Sequence, residues 1–162
     1  MAVASIAHAT MGMIVDSTAL AASLGDARWQ EIRGQHDAIV RSQVARYRGQ
    51  EIKTMGDGFL VTFDGPARGV KCARTIADAM RTLGIEIRAG LHTGEVAREG
   101  NDVAGLGVAI CARLSALAGP SEVLVSQTVK DLVAGSGLSF EDAGEHELKG
   151  VPDRWHVYRV AT

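Results

Sequence analysis

The segment Glu51-Ile-Lys-Thr-Met-Gly-Asp-Gly-Phe-Leu-Val-Thr-Phe63 constrains the fold more than any other stretch of the 162 residues. Residues 51–55 and 59–63 are short runs rich in Ile, Val, Thr and Phe. Between them Gly56, Asp57 and Gly58 tolerate the positive φ that a tight hairpin turn needs. An antiparallel hairpin follows, with Asp57 at its exposed tip and Lys53 on the incoming strand. Asp-Gly is first of all a turn signal. A carboxylate between two glycines is also one that a ligand can approach against bare backbone.

The length suits a single domain spanning residues 1–162, and a hydrophobic content of 46% supports a real core. Seventeen basic and nineteen acidic residues are spread along the chain, for a net charge of −2. That balance offers no electrostatic footprint for nucleic acid or an anionic membrane surface, so the expected partners are a small molecule or another protein. No run reaches the roughly 18–20 apolar residues of a membrane span. Met1 to His8 is apolar but lacks a positive flank, and reads as a core strand rather than a secretory signal. Cys72 and Cys111 fall in helical patterns without metal-ligand spacing, which makes them packing residues of a cytoplasmic protein.

In chain order, residues 3–15 read as a strand that runs into an N-cap cluster at Asp16-Ser17-Thr18. A short helix over 19–24 stops near Gly25. A longer one carries Trp29, Ile32, His36, Val40, Val44 and Tyr47 at helical spacing to Arg48, with Gly49 as its C-cap. After the hairpin, Pro66 opens a helix over 66–83. A strand over 85–91 follows, then a turn at His92-Thr-Gly-Glu-Val96 and a polar loop over 98–102. A helix over 106–117 ends at Gly119-Pro120. A strand at 122–125, a helix capped by Ser126 and strands at 138–147 and 154–160 complete the chain. The expected class is α+β, with a ferredoxin-like core and a mostly antiparallel or mixed sheet with helices on one face.

Six short motifs in this order resemble the catalytic domain of class III adenylyl and guanylyl cyclases, in its compact bacterial form. They are Ile14-Val-x-Ser-Thr18, Lys53-Thr-Met-Gly-Asp-Gly-Phe59, Arg88-Ala-Gly-Leu-His-Thr-Gly94, Asp102-Val-x-Gly105, Ala112-Arg113 and Glu145-x-x-Leu-Lys-Gly150. The resemblance covers nearly the whole chain. It implies the class III nucleotidyl cyclase fold and attack of a ribose 3′-hydroxyl on the α-phosphorus of a nucleoside triphosphate, releasing pyrophosphate. It further implies two Mg²⁺ or Mn²⁺ ions held by two carboxylates, of which Asp57 matches one; oxygen ligands are what such hard cations take. Lys53 and Asp102 match the pair that reads the purine, a donor and an acceptor complementary to adenine, which favours ATP. Arg113 matches the residue that stabilises charge at the transferring phosphate, and Arg88 and Lys149 match cations for the triphosphate tail. The implied assembly is a homodimer, or a heterodimer with another cyclase subunit, whose sites form between protomers.

The chain departs from that pattern twice. Met13 stands where the second metal carboxylate belongs, and a thioether is a poor ligand for a hard cation. Asp16 lies three residues on and could replace it only if the backbone shifted. Ala109 stands one helical turn before Arg113, where the resemblance calls for an Asn or His, and a methyl donates no hydrogen bond. The expectation is therefore an adenylyl-cyclase-type domain of weakened activity. The alternative is an inactive pseudo-cyclase that binds nucleotide or serves as a regulatory partner. His92 reads as structural, and His8, His36, His146 and His156 show no metal-ligand spacing.

Overall fold

β1 (Val3–Ile14) is the spine of the sheet in the computed structural model, which describes residues 3–55 and 57–162. Met1, Ala2 and Gly56, the first glycine of the predicted turn, lie outside the described residues. β1 pairs antiparallel with β3 (Gly58–Phe63) on one side and with β4 (Ile87–Glu99) on the other. β2 (Gln50–Met55) completes the expected hairpin against β3, with a bulge between Glu51 and Lys53. β5 (Asp102–Ala104) pairs with β4, and β6 (Val123–Ser126) runs parallel to it. β8 (Arg154–Val160) and β7 (Phe140–Glu147) extend the sheet from β6. The described residues thus form the expected mixed sheet, in the order β2-β3-β1-β4-β6-β8-β7.

The helices are α1 (Ser17–Leu24), α2 (Asp26–Arg46), α3 (Pro66–Arg81), α4 (Leu106–Leu117) and α5 (Gln127–Leu132). Strand alternation sends Phe59, Val61, Ile87, Ala89, Leu91 and Val123 to one face, where they pack with Val40 and Val44 of α2, Ile76 and Met80 of α3, and Val129 of α5. The expectation of helices on one face holds for these three. It is corrected for α4, which packs on the other face: Cys111 meets Ala9, Met11 and Leu60, and Ile110 and Leu114 meet Leu124 and Val157. The physical reason is Gly90. A Cβ there would lie 2.3 Å from Ser115 N and 2.7 Å from Cys111 O, so only a bare Cα lets the helix backbone rest on the strand. The Cys111 thiol donates to Ala9 O (3.3 Å) and Gly90 O (3.0 Å). Burial pushes it, like Cys72, up to about 12. Both cysteines are free and buried, as packing residues should be.

Three local expectations are corrected. Residues 92–96 are not a turn: β4 continues to Glu99 because its pairing with β1 runs unbroken from Val3↔Arg98 to Ile14↔Ile87. The predicted loop over 98–102 holds a tight turn at Gly100-Asn101 and the start of β5. α2 closes on Arg48 (φ 59°) rather than Gly49. Arg48 N–H donates to Ala45 O and Gly49 N–H to Val44 O at 2.8 Å, a Schellman closure in which Gly49 is the residue beyond the left-handed one. Asp16 occupies the N-cap position of α1, but in the left-handed region (φ 52°) and without a side-chain capping bond.

Candidate active site

Asp57 is fixed at the end of β1. Ile14 N–H donates to Asp57 O at 2.9 Å, and the Ser17 hydroxyl donates to Asp57 Oδ2 at 2.5 Å. Met13 lies in register with Gly58 on one side and Arg88 on the other. Together Met13, Asp16, Ser17, Asp57, Arg88 and Ala116 line a cleft of about 610 Å³. The Arg88 guanidinium donates to Ala116 O at 3.4 Å, which ties the cleft to the last turn of α4. The structure therefore brings the predicted metal and phosphate-tail residues Asp57 and Arg88 together.

The donor set of this cleft does not fit a two-cation centre. One Asp57 oxygen already accepts a hydroxyl, and Met13 contributes a soft thioether. Among the described residues no group of three or more His, Cys, Asp or Glu converges to hold a metal ion. Asp16 is exposed at the rim and adds at most one further carboxylate.

Lys53 and Asp102 meet across 49 residues of sequence: Nζ lies 3.3 Å from Oδ1. β2 presents the lysine just past its bulge, and β5 presents the aspartate. Asp102 also accepts Val103 N–H at 2.8 Å. That main-chain bond, and then the Lys53 ammonium, hold its carboxyl below the usual carboxylate range. Both side chains remain solvent-exposed, and exposed ion pairs open readily. The pair sets a donor and an acceptor side by side at the β2–β5 edge.

Arg113 lies on the outward face of α4, one turn beyond exposed Ala109, and its Nε donates to Lys149 O at 2.9 Å. Lys149 is thus placed beside Arg113 through its main chain, with its side chain exposed. Within one chain the predicted residues occupy the hairpin cleft, the β2–β5 edge and the outer face of α4.

Two residues gain partners that sequence reasoning did not assign. Ser17 holds Asp57, a role its place directly after a strand could have signalled. Ser126 caps α5, as expected, and also bonds His92 Nδ1 at 2.7 Å. His92 is 5% exposed, and burial lowers its pKa from 6.5 to about 4. Between those values the unfolded chain binds a proton that the folded chain refuses, so stability falls as pH is lowered through that window. The loss attributable to this group reaches up to about 3 kcal/mol near pH 4. Urea titrations at pH 7 and pH 4.5 should show it, and His92→Asn should flatten the difference.

A family model described as adenylate and guanylate cyclase catalytic domain matches residues 10–162. A Rhizobium meliloti protein named "Putative adenylate cyclase 3" is 31% identical over 141 residues, covering 82% of this chain and 23% of that protein. An uncharacterized protein of Mycobacterium tuberculosis is 35% identical over 123 residues, covering 72% of this chain and 42% of that protein. The chain therefore spans less than half the length of either relative. Among solved structures, the adenylyl cyclase CyaB of P. aeruginosa superposes with a TM-score of 0.91 at 18% identity, covering 100% of this chain and 96% of that one. The guanylate cyclase domain of RhGC from Catenaria anguillulae, in complex with GTP, gives 0.86 at 19% identity, covering 97% and 96%. At these identities the likeness is one of fold.

Proposed function

The chain belongs to the adenylate and guanylate cyclase catalytic domain family, and from that premise we propose that it is an adenine-nucleotide-binding cyclase domain whose conversion of ATP to 3′,5′-cyclic AMP and pyrophosphate is weakened. The observation that carries the reading is the Lys53–Asp102 contact, because the two groups that must reach one base edge together are already within 3.3 Å. When ATP enters, Lys53 donates to adenine N1 and Asp102 accepts from the N6 amino group. Guanine presents an N1–H donor and an O6 acceptor at the same positions, so both contacts are mismatched. Arg88 and Lys149 neutralise the triphosphate tail, and Arg113 faces charge developing at the transferring phosphate. Because these groups lie at separate places on one chain, the reading takes the working unit to be a dimer in which a partner completes each site. A cytoplasmic setting accords with the free buried cysteines. Among the described residues, no helix is long and apolar enough to cross a membrane.

Isothermal calorimetry should show ATP bound more tightly than GTP. Lys53→Ala should weaken ATP by on the order of 10–100-fold, the range expected for one hydrogen bond to a charged group. Equal binding of the two nucleotides would refute the base assignment. Cyclic AMP formation is measured alongside with Mg²⁺ or Mn²⁺, and no product above the Lys53→Ala background would reject catalysis. Met13 and Ala109 favour a second reading, a pseudo-cyclase that binds nucleotide for regulation or completes a site with an intact cyclase subunit. ATP binding without turnover selects it. A gain in cyclic AMP on mixing with such a subunit identifies the heterodimeric form.

A further inference from the structure

Two divalent ions that clamp a reacting phosphate sit about 3.5–4 Å apart and need carboxylate oxygens around both. The hairpin cleft of about 610 Å³ sets one carboxylate, that of Asp57, at the end of β1. Asp57 is half-buried. Its carbonyl takes Ile14 N–H at 2.9 Å and its Oδ2 takes the Ser17 hydroxyl at 2.5 Å, which fixes the rotation of the carboxylate and leaves Oδ1 the freer oxygen. Met13 is paired with Gly58 on one side and Arg88 on the other. A second ion at Met13 would meet a thioether, which hard cations ligate poorly, and would feel repulsion from the half-buried Arg88 guanidinium in the same cleft. Asp16 stands exposed at the rim, where the backbone (φ 52°) has already left β1 to head α1.

A single ion asks for less. Mg²⁺ keeps several waters and is commonly held by one or two carboxylates together with substrate phosphates rather than by a cage of protein ligands. Asp57 meets that requirement only when a polyphosphate supplies the remaining oxygens. Ser17, Thr18 and Ala19 line the same cleft, and their N–H groups precede the first main-chain bond of α1, Leu20 N–H to Asp16 O, which leaves them, with Arg88, for polyphosphate oxygens. Resting on the reading that the domain binds an adenine nucleotide, we propose that the cleft holds one divalent ion per site instead of two, that this ion enters on the nucleotide's phosphates and is retained by Asp57, and that Arg88 supplies positive charge beside the place a second ion would take. Without nucleotide the cleft retains no ion.

The probe is Mn²⁺, counted by electron paramagnetic resonance with the chain in excess over α,β-methylene-ATP, whose leaving bond cannot break. The parent should hold one Mn²⁺ per bound nucleotide, with the spectrum of an isolated ion, and should take up no Mn²⁺ at sub-millimolar concentrations when nucleotide is absent. Met13→Asp should tighten a second ion by about 100-fold or more, since even outer-shell partners at metal sites are worth roughly 10–100-fold, and the two neighbouring spins should couple. Asp57→Asn should abolish the tightening of nucleotide by Mn²⁺. Arg88→Gln should weaken the nucleotide by on the order of 10–100-fold with or without Mn²⁺. Two ions per nucleotide in the parent, or sub-millimolar uptake of Mn²⁺ by the free chain, would overturn the inference, and loss of the extra ion in Asp16→Asn would then assign it to Asp16. The nucleotide reading fails separately. ATP and GTP bound equally, each with one ion, refutes the base assignment and leaves the ion count standing, whereas two ions with ATP preferred refutes the ion count alone. No nucleotide bound at all overturns both.

Discussion

Met13→Asp combined with Ala109→Asn should raise cyclic AMP formation over the parent chain by on the order of 10²–10³-fold or more. Met13 lines the same cleft as Asp57 and sits in register between Gly58 and Arg88. An aspartate there sets a second carboxylate beside the first. Ala109 is exposed one turn before Arg113, and an asparagine there restores a donor on the outward face of α4. Neither site is deeply packed, so both changes should fold. The measurement is cyclic AMP produced from ATP with Mn²⁺ by parent, single and double variants. Because the two positions serve one reaction, the double variant should exceed the product of the single gains. A double variant no faster than the parent would show that the losses at 13 and 109 are not what limits turnover.

Gly90→Ala should be the most damaging single-methyl change in the chain, lowering stability by about 3 kcal/mol or more. Most overpacked sites relax by moving a side chain. Here the three nearest atoms are main-chain groups of α4, Ser115 N, Cys111 O and Leu114 C, within 2.3–2.8 Å of the added carbon. Relief therefore requires lifting the helix off β4, which breaks the Cys111 thiol contacts to Ala9 O and Gly90 O. Arg113 would move with the helix. Thermal unfolding of the variant against Gly94→Ala makes a good comparison, since there the added carbon meets only the imidazole of His92. Similar melting temperatures for the two would contradict the backbone-contact account.

The hairpin, the helix boundaries near Pro66 and Leu117 and the capping role of Ser126 were legible in the sequence because each rests on local chemistry: turn glycines, a proline at N1, a hydroxyl before a helix. The pairing of Lys53 with Asp102 was legible only through the family motifs, since no periodicity links positions 49 residues apart. What stayed hidden was set by tertiary contact. Gly94 reads as punctuation after His92, yet β1 is long enough to hold β4 straight through it. β5 is three residues long, too short for any alternating pattern. Apart from Arg113 and Ser115, α4 is apolar all round, so no stripe reveals which face of the sheet it packs on. The one clue to its face was a glycine in the middle of a strand pattern, Gly90, which marks close approach of another backbone.

β1 also sets an order of events at the ribosome. The first strand of the sheet to be synthesised is an interior one, and its partners come much later: His8 pairs with Phe63, and Val3 with Arg98. At translation rates of roughly 5–20 residues per second, β1 waits about 5–20 s for β4. Until β3 emerges, its apolar row at Ala7, Ala9 and Met11 has no sheet to join at all, and from then until β4 it has a partner on one side only. The nascent chain is most open to misassociation before β3 is made, and slower codons placed between residues 14 and 58 would prolong that exposure.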